Sequence, residues 1–189
     1  MFTVPSFLTH LTRLLEVPQY VLESGICSSG QIAVTQPRRV AATSLASRVA
    51  QEQGVTVGTR VGYAVRFNER HDESTRIKFM TDGMLSRERL ADPLLSRYSV
   101  IMLDEAHERT LNTDILMASL KVIQKERRKL HTENVNTNRT SGKGKAREEI
   151  GPLKLIIMSA TLDAEKFSKF FDGYEAVRNS TLDVAKFFV

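Results

Sequence analysis

The chain has 189 residues, 41% of them hydrophobic and 26% charged, which is the composition of one well-packed globular domain and too little chain for two large ones. Its 27 Lys and Arg exceed its 22 Asp and Glu, and the net charge of +5 suits a polyanionic partner. Cys27 is the only cysteine, which excludes an internal disulfide framework, and the longest apolar runs are too short to cross a membrane. With no secretory signal pattern at the start, we expect the nucleus or the cytoplasm.

The first half of the chain alternates strand-like runs with helical patterns. QIAVT (31–35) predicts a strand, and the segment after it predicts a helix that stops before Gly54. RVGYAVRF (60–67) alternates as a strand, and RIKFMT (76–81) predicts another after a polar turn. DGMLSRERLAD then predicts a helix capped by Asp82.

The second half continues the alternation. YSVIML (98–103) is a continuous apolar run, typical of a strand buried on both faces, and a helix follows from about Asn112. Residues 131–151 contain no aromatic residue and little to bury, which predicts a disordered loop or insertion. KLIIM (154–158) predicts a strand and LDAEKFSKFF (162–171) a helix. This order predicts an α/β fold of three layers, with a mostly parallel sheet between helices.

Polar segments follow three of these strands, where ligands collect in parallel sheets. The acidic pair Asp104 and Glu105 follows VIML, and two readings stay open. The pair is either a strand-end acid followed by a helix N-cap, or a Mg²⁺ ligand beside the base that activates water for attack on a γ-phosphate. Similarly, Ser159 and Thr161 form either a helix cap or a hinge that senses what is bound at Asp104. The four histidines are scattered, which argues against a zinc site.

Two adjacent arginines, Arg38 and Arg39, stand at a predicted helix start, where the helix dipole favours negative charge. They are either ordinary surface residues or ligands of an anion such as a nucleic-acid phosphate. The backbone amides of Thr81, Asp82 and Gly83 form a second strand-to-helix turn that could bind phosphate in the same way.

The motifs taken together resemble the first RecA-like domain of DEAH-box RNA helicases. The matching segments, in the family's order over about Val17 to Phe171, are TQPRRVAA (35–42), RVGYAVRF (60–67), TDGML (81–85), LDEAHERTLNTD (103–114) and MSATLDAEKF (158–167). The resemblance implies a RecA-like fold and hydrolysis of ATP or another nucleoside triphosphate with Mg²⁺. In the full-length family this hydrolysis depends on RNA and is coupled to unwinding.

The resemblance also implies roles for individual residues. Asp104 is similar to the acid that holds Mg²⁺ through water, Glu105 to the general base, and His107 to the link with the interdomain cleft. Ser159 and Thr161 resemble the pair that couples hydrolysis to movement. Arg48 is similar to an arginine that stacks on the nucleotide base. The segments that grip the backbone of single-stranded RNA carry Thr35, Arg38, Arg39, Thr81 and Gly83. The implied partners are RNA and protein partners of the helicase, with no membrane.

The sequence departs from the family in its divergent first segment, residues 1–16. Family members have a glycine-rich phosphate-binding loop just before a stretch like PQY (18–20), but residues 1–24 contain no glycine. Arg13 falls where the family has its phosphate lysine, and Leu14 where it has the hydroxyl ligand of Mg²⁺. Because the amides of such a loop must converge on the phosphates, we expect weak ATP binding. FTVPSFL is a candidate for a substitute first strand.

The second departure is a divergent tail, residues 172–189, in place of a second RecA-like domain. We therefore expect one partial domain, residues 17–171, that does not unwind RNA by itself. It is either the first motor domain of a DEAH-box helicase, as a truncated product or an incomplete gene model, or a non-catalytic module that binds RNA or helicase partners.

Overall fold

The structure is a computed structural model. It describes the backbone of residues 6–27, 30–140, 150–159, 169–171, 176–178 and 185–188. Side chains are described for residues 15–27, 30–134, 150–159 and 169–171.

Helices and strands alternate along most of the described chain. The helices are α1 (Ser6–Glu23), α2 (Arg39–Glu52), α3 (Asp82–Ala91) and α4 (Leu111–Thr140), with a 3₁₀ turn at Ala106–Glu108. The strands are β1 (Gln31–Gln36), β2 (Val61–Val65), β3 (Asn68–Arg70), β4 (Ile77–Thr81), β5 (Tyr98–Leu103), β6 (Lys154–Ser159), β7 (Ala176–Arg178) and β8 (Ala185–Phe188).

The strands form one sheet in the order β3-β2-β4-β1-β5-β6-β8-β7. The five strands from β2 to β6 in this order are parallel to their neighbours, whereas β3, β8 and β7 pair antiparallel at the two sides. The predicted class is confirmed: a mostly parallel sheet with flanking helices, consistent with a RecA-like α/β fold.

The sheet separates two apolar cores. In β1, Ile32 and Val34 pack on the same side as Leu45 of α2, whereas Ala33 packs on the opposite side with Leu116 of α4. This alternation follows from the two-residue period of a strand and buries β1 on both faces, as expected for its apolar centre, residues 32–34. The α1 and α2 side and the α3 and α4 side therefore form the outer layers.

Several local expectations were wrong. The polar turn after residue 67 contains strand β3, and Thr81, not Asp82, is the N-cap of α3. Helix α4 runs to Thr140, so residues 131–140 of the predicted loop have helical backbone. Residues 141–149 of that loop and residues 162–168 of the predicted last helix lie outside the described residues.

The two ends of the chain also differ from expectation. The chain is helical from Ser6, so the opening segment does not supply a strand there, and residues 1–5 lie outside the described part. Strands β7 and β8 were not predicted in the divergent tail. Among the described residues, none of the helices combines the length and apolar character needed to cross a bilayer.

Candidate nucleotide and RNA site

The polar segments after the strands meet at one edge of the sheet. Gln36 at the end of β1 pairs with Thr81 at the end of β4, and Thr35 pairs with Leu103, the last residue of β5. Strand β6 ends at Ser159 beside them. The residues that follow these strands therefore share the carboxyl edge of the sheet, as expected for parallel neighbours.

Asp104 is buried immediately beyond β5, with 1% of its surface exposed. Gln36 Nε2 donates a hydrogen bond of 2.5 Å to its Oδ2, and the Asp104 amide donates to the Thr35 carbonyl at 3.3 Å. Burial raises the pKa of Asp104 to about 7, the Gln36 hydrogen bond opposes this rise, and the charge of Glu105 adds to it. The carboxyl group is therefore near its pKa at neutral pH.

The next residue, Glu105, turns the chain. It has a left-handed conformation with φ 51°, and Arg109, beyond the 3₁₀ turn, has φ 47°. Such angles cost a non-glycine residue about 1–2 kcal/mol each, so tertiary contacts must hold the turn. His107 Nε2 lies 3.4 Å from Glu105 Oε2, and both side chains are half-buried. We call residues 104–109 the acidic turn.

Charged contacts hold the far end of the acidic turn. Arg38 Nη2 lies 3.1 Å from Glu108 Oε1, which joins the turn to the start of α2. Arg109 donates two hydrogen bonds, of 2.7 and 3.0 Å, to the Asp114 carboxylate at the start of α4. The turn is thereby tied to elements on both sides of the sheet.

A surface pocket of about 460 Å³ opens beside the acidic turn. We call it the arginine pocket, because three exposed arginines from different segments converge there. Its lining residues are Pro37, Arg39, Arg66, Thr81, Asp82, Gly83, Met84, Arg87, Thr110 and Asn112.

Three of the predicted RNA-binding residues, Arg39, Thr81 and Gly83, are brought together in the arginine pocket. Sequence reasoning missed Arg66 and Arg87. The signal for Arg87 was available, because residues four apart lie on one face of a helix and Gly83 precedes it by four in α3. Arg66 is fixed by tertiary structure: Arg39 Nη2 donates to its carbonyl at 2.7 Å.

The one carboxylate of the arginine pocket is directed into the protein. Asp82 is 3% exposed, and its Oδ2 accepts a hydrogen bond of 2.5 Å from Thr113 Oγ1. Thr113 in turn lies 2.7 Å from the hydroxyl of Thr110, a pocket residue. The acid therefore joins α3 to α4, and the exposed charge of the pocket comes from its arginines.

Two of the predicted site residues are placed elsewhere. The Thr35 side chain is fully buried and does not line the arginine pocket, and its RNA-binding role stays a prediction. Burial follows because β1 is covered on both faces. Arg48 lies in a separate pocket of about 570 Å³, and its Nε donates to Glu52 at 2.9 Å. That pocket is lined by Thr43, Ser44, Ser47, Arg48, Gln51, Tyr63 and Asn68.

The predicted coupling pair is described in part. Ser159 is fully buried at the carboxyl end of β6, beside the acidic turn, whose 3₁₀ segment contacts that strand. Thr161 lies outside the described residues.

The carboxylate at Asp104 has the surroundings that a hydrated Mg²⁺ ion needs. Within the described parts of the chain, no three His, Cys, Asp or Glu side chains lie close enough to hold a metal by themselves. A single buried carboxylate, Asp104, fits a hydrated Mg²⁺ that keeps several waters and is held mainly by the phosphates of a nucleotide.

Helix α1 lies where the DEAH-box family has its phosphate-binding loop. Leu11, Arg13 and Leu14 all lie inside α1, a continuous helix of 18 residues. In an α-helix each amide points along the axis and bonds a carbonyl four residues earlier, so successive amides do not converge on a phosphate.

The similar known proteins given below are all DEAH-box or DHX RNA helicases. No protein-family model matches the chain. It is 46% identical over 184 aligned residues to the Arabidopsis thaliana pre-mRNA-splicing factor ATP-dependent RNA helicase DEAH10, covering 87% of this chain and 26% of that protein. It is 51% identical over 161 residues to the human ATP-dependent RNA helicase DHX33, covering 85% and 20%. Identity to the human probable ATP-dependent RNA helicase DHX35 is 49% over 173 residues, covering 90% and 21%. The chain spans about a fifth to a quarter of the length of these relatives.

Proposed function

Since this chain is a homologue of the DEAH-box ATP-dependent RNA helicases, we propose that it is the first RecA-like motor domain of such a protein and binds the phosphate backbone of single-stranded RNA. The observation that carries the proposal is the arginine pocket at the carboxyl edge of the sheet. Unwinding, as an activity of the whole relatives, would need more of their length than this chain spans.

The chemistry of the pocket suits a phosphate chain. Guanidinium groups bind phosphate through paired charge-assisted hydrogen bonds, and Arg39, Arg66 and Arg87 supply three of them. The N-terminus of α3, at Asp82 and Gly83, adds backbone amides and the positive end of a ten-residue helix. Such contacts read the backbone and not the bases, so binding would be largely independent of sequence.

The carboxylates beside the pocket support a role in hydrolysis of ATP. Mg²⁺ bound with the nucleotide would stabilise charge on the transferred phosphoryl group. Asp104, oriented by Gln36, would hold the ion through water, and Glu105 would orient and deprotonate the attacking water. The half-buried His107 near Glu105 would help to fix that side chain.

A second candidate function is an RNA-binding or partner-binding module without turnover. The helical backbone at Leu11, Arg13 and Leu14 favours it, because these positions lack the convergent amides of a phosphate-binding loop. Loss of two hydrogen bonds to a charged phosphate, each worth about 2 kcal/mol, would weaken a micromolar site to about millimolar.

RNA affinity of the Arg39→Ala variant tests the first proposal. Fluorescence anisotropy with a labelled single-stranded oligonucleotide should show at least a tenfold loss, because one charge-assisted contact is removed. Arg97→Ala is the matched control, since Arg97 is exposed just before β5, at the opposite edge of the sheet. Equal affinity for the wild type and both variants would refute the RNA-binding role of the pocket.

Calorimetric titration with ATP and Mg²⁺ separates the two candidates. A dissociation constant of about 1 mM or weaker is expected if α1 has replaced the phosphate cradle. Micromolar affinity that is lost in Asp104→Ala would instead establish a working nucleotide site and contradict the non-catalytic reading.

A further inference from the structure

The contact between Arg38 and Glu108 joins the RNA-binding side of the site to the acidic turn. Arg38 Nη2 lies 3.1 Å from Glu108 Oε1; the arginine side chain is 77% exposed and the glutamate 29%. Arg38 directly precedes Arg39, which lines the arginine pocket. The Glu108 carboxylate therefore pairs with a guanidinium whose residue adjoins the proposed RNA site in the sequence.

A carboxylate and a phosphate diester present similar anionic oxygens to a guanidinium, and both can accept from its fork of donors. An ion pair this exposed is weak, because water and salt screen it, so an incoming phosphate can exchange with the carboxylate. On the basis of the RNA-binding function proposed above, we infer that Glu108 competes with RNA for Arg38. RNA displaces the Glu108 carboxylate from Arg38, and this release alters the position of Glu105.

The second part of the inference follows from the backbone of the acidic turn. Glu108 is the last residue of the 3₁₀ segment, and its amide donates to the Glu105 carbonyl at 2.9 Å. The segment lies between two left-handed residues, Glu105 and Arg109, whose conformations depend on tertiary contacts. Removing the Arg38 contact leaves the Arg109–Asp114 pair to hold the far end of the turn against α4.

Glu108 is thus a positioning residue. Its side chain acts on Arg38 and, through three residues of backbone, on Glu105. The consequence is a physical link from occupancy of the RNA site to the residue proposed to activate water. RNA binding is also weakened, because each binding event must break the Arg38–Glu108 ion pair.

A double-mutant cycle on RNA affinity tests the competition. Glu108→Gln should bind single-stranded RNA about two- to fivefold more tightly than the wild type, the range expected for loss of one exposed ion pair. The gain should vanish in an Arg38→Ala background. Asp114→Asn likewise removes one negative charge, but from the Arg109–Asp114 pair. Any gain in RNA affinity in this variant should therefore be equal with and without Arg38. Glu108→Gln without effect, or with the same effect in both backgrounds, would overturn the inference.

Amide hydrogen exchange tests the link to Glu105. Exchange of residues 105–109 should be faster with RNA bound than without it in the wild type, and already fast in RNA-free Glu108→Gln. Unchanged exchange in both cases would refute the link. Failure of the proposed function gives a different result: RNA affinity would then be unaffected by Arg39→Ala, whatever Glu108→Gln does.

Discussion

At the scale of single residues, Asp104 shows how burial sets the chemistry of the site. Asp104 is 1% exposed, and the hydrogen bond that its carboxylate accepts from Gln36 does not offset the loss of water. The pKa of about 7 means that the folded protein binds this proton far more tightly than the unfolded chain, where the ordinary value is 3.8. Ionised Asp104 therefore destabilises the fold when no cation is bound.

This predicts a pH-dependent gain in stability for Asp104→Asn. Below about pH 4 the carboxyl group is protonated in both the folded and the unfolded state, so it contributes little to the difference in stability between wild type and variant. As the pH rises from about 4 to about 7, the unfolded state loses its proton first, so the wild type loses stability relative to the variant. Above pH 7 the variant should be more stable by about 2–4 kcal/mol. Denaturant unfolding without divalent cations at pH 5, 6, 7 and 8 measures the difference.

The control for this experiment is Glu73→Gln, which removes a carboxylate from an exposed turn. It should change the free energy of unfolding by less than about 0.5 kcal/mol across the range. A stability difference between wild type and Asp104→Asn that is constant from pH 5 to 8 would show that the Asp104 pKa is not raised.

Sequence predicted the residue positions better than their orientations. The order of apolar runs was enough to place Asp104, Glu105 and Ser159 at strand ends. It did not reveal that Thr35 is buried, because a strand covered on both faces hides its polar residues as well. The left-handed angles of Glu105 and Arg109 were also invisible, because they depend on contacts between α2, α4 and the turn.

At the scale of elements, α3 supplies the amide end of the arginine pocket, and Gly83 is its second residue. A Cβ added at Gly83 would meet only Asn112 Nδ2, at 4.0 Å, so the fold does not require glycine there. Gly83→Ala should leave the free energy of unfolding unchanged or raise it by up to about 1 kcal/mol, through better helix propensity. RNA affinity should fall about tenfold, because the methyl group keeps a phosphate from the amides.

Gly151→Ala is the matched control for Gly83→Ala, since a Cβ at Gly151 meets nothing within 4 Å and the residue does not line the arginine pocket. Stability by thermal unfolding and RNA affinity by anisotropy should be measured on both variants. If Gly83→Ala binds RNA as tightly as Gly151→Ala, the N-terminus of α3 does not contact the RNA.

Helix α4 carries a buried arginine that the apolar pattern of its sequence did not predict. Leu116, Leu120 and Ile123 form its buried stripe, and the next position of that stripe is Arg127, which is 2% exposed. Its guanidinium donates to the carbonyls of Leu95, Tyr98 and Gly151 at 2.6–3.2 Å. Burial lowers its pKa to about 10, so it remains charged at neutral pH. Ile115, next to Leu116 in the sequence, lies outside this stripe and is 47% exposed.

Arg127→Met should therefore destabilise the protein although methionine suits a core. Three carbonyls would lose their donor, and the expected loss is about 2–5 kcal/mol in the free energy of unfolding, measured with guanidinium chloride. Lys129→Met on the same helix, where the lysine is exposed, should change it by less than about 0.5 kcal/mol. Similar losses for the two variants would mean that the buried contacts of Arg127 add nothing.

At the scale of the whole molecule, the parallel centre of the sheet was predictable and its margins were not. Strands β1, β4, β5 and β6 have five or six residues with apolar centres, and such centres favour burial on both faces. Strands β3, β7 and β8 have three or four residues and form through antiparallel pairing with neighbours, which local patterns do not encode. The arginine pocket was only partly predictable for the same reason, because its residues come from four segments that meet only in the folded sheet.

The proposed function depends on electrostatic binding of an RNA backbone at this edge of the sheet. The most direct test is the salt dependence of affinity for single-stranded RNA, measured for the wild type and for Arg39→Ala combined with Arg87→Ala. The slope of log affinity against log salt should become shallower by about 1.4 in the double variant, since each phosphate contact contributes about 0.7 for single strands. The loss should be the same for oligonucleotides of different sequence. An unchanged slope would contradict the assignment of the arginine pocket as the RNA site.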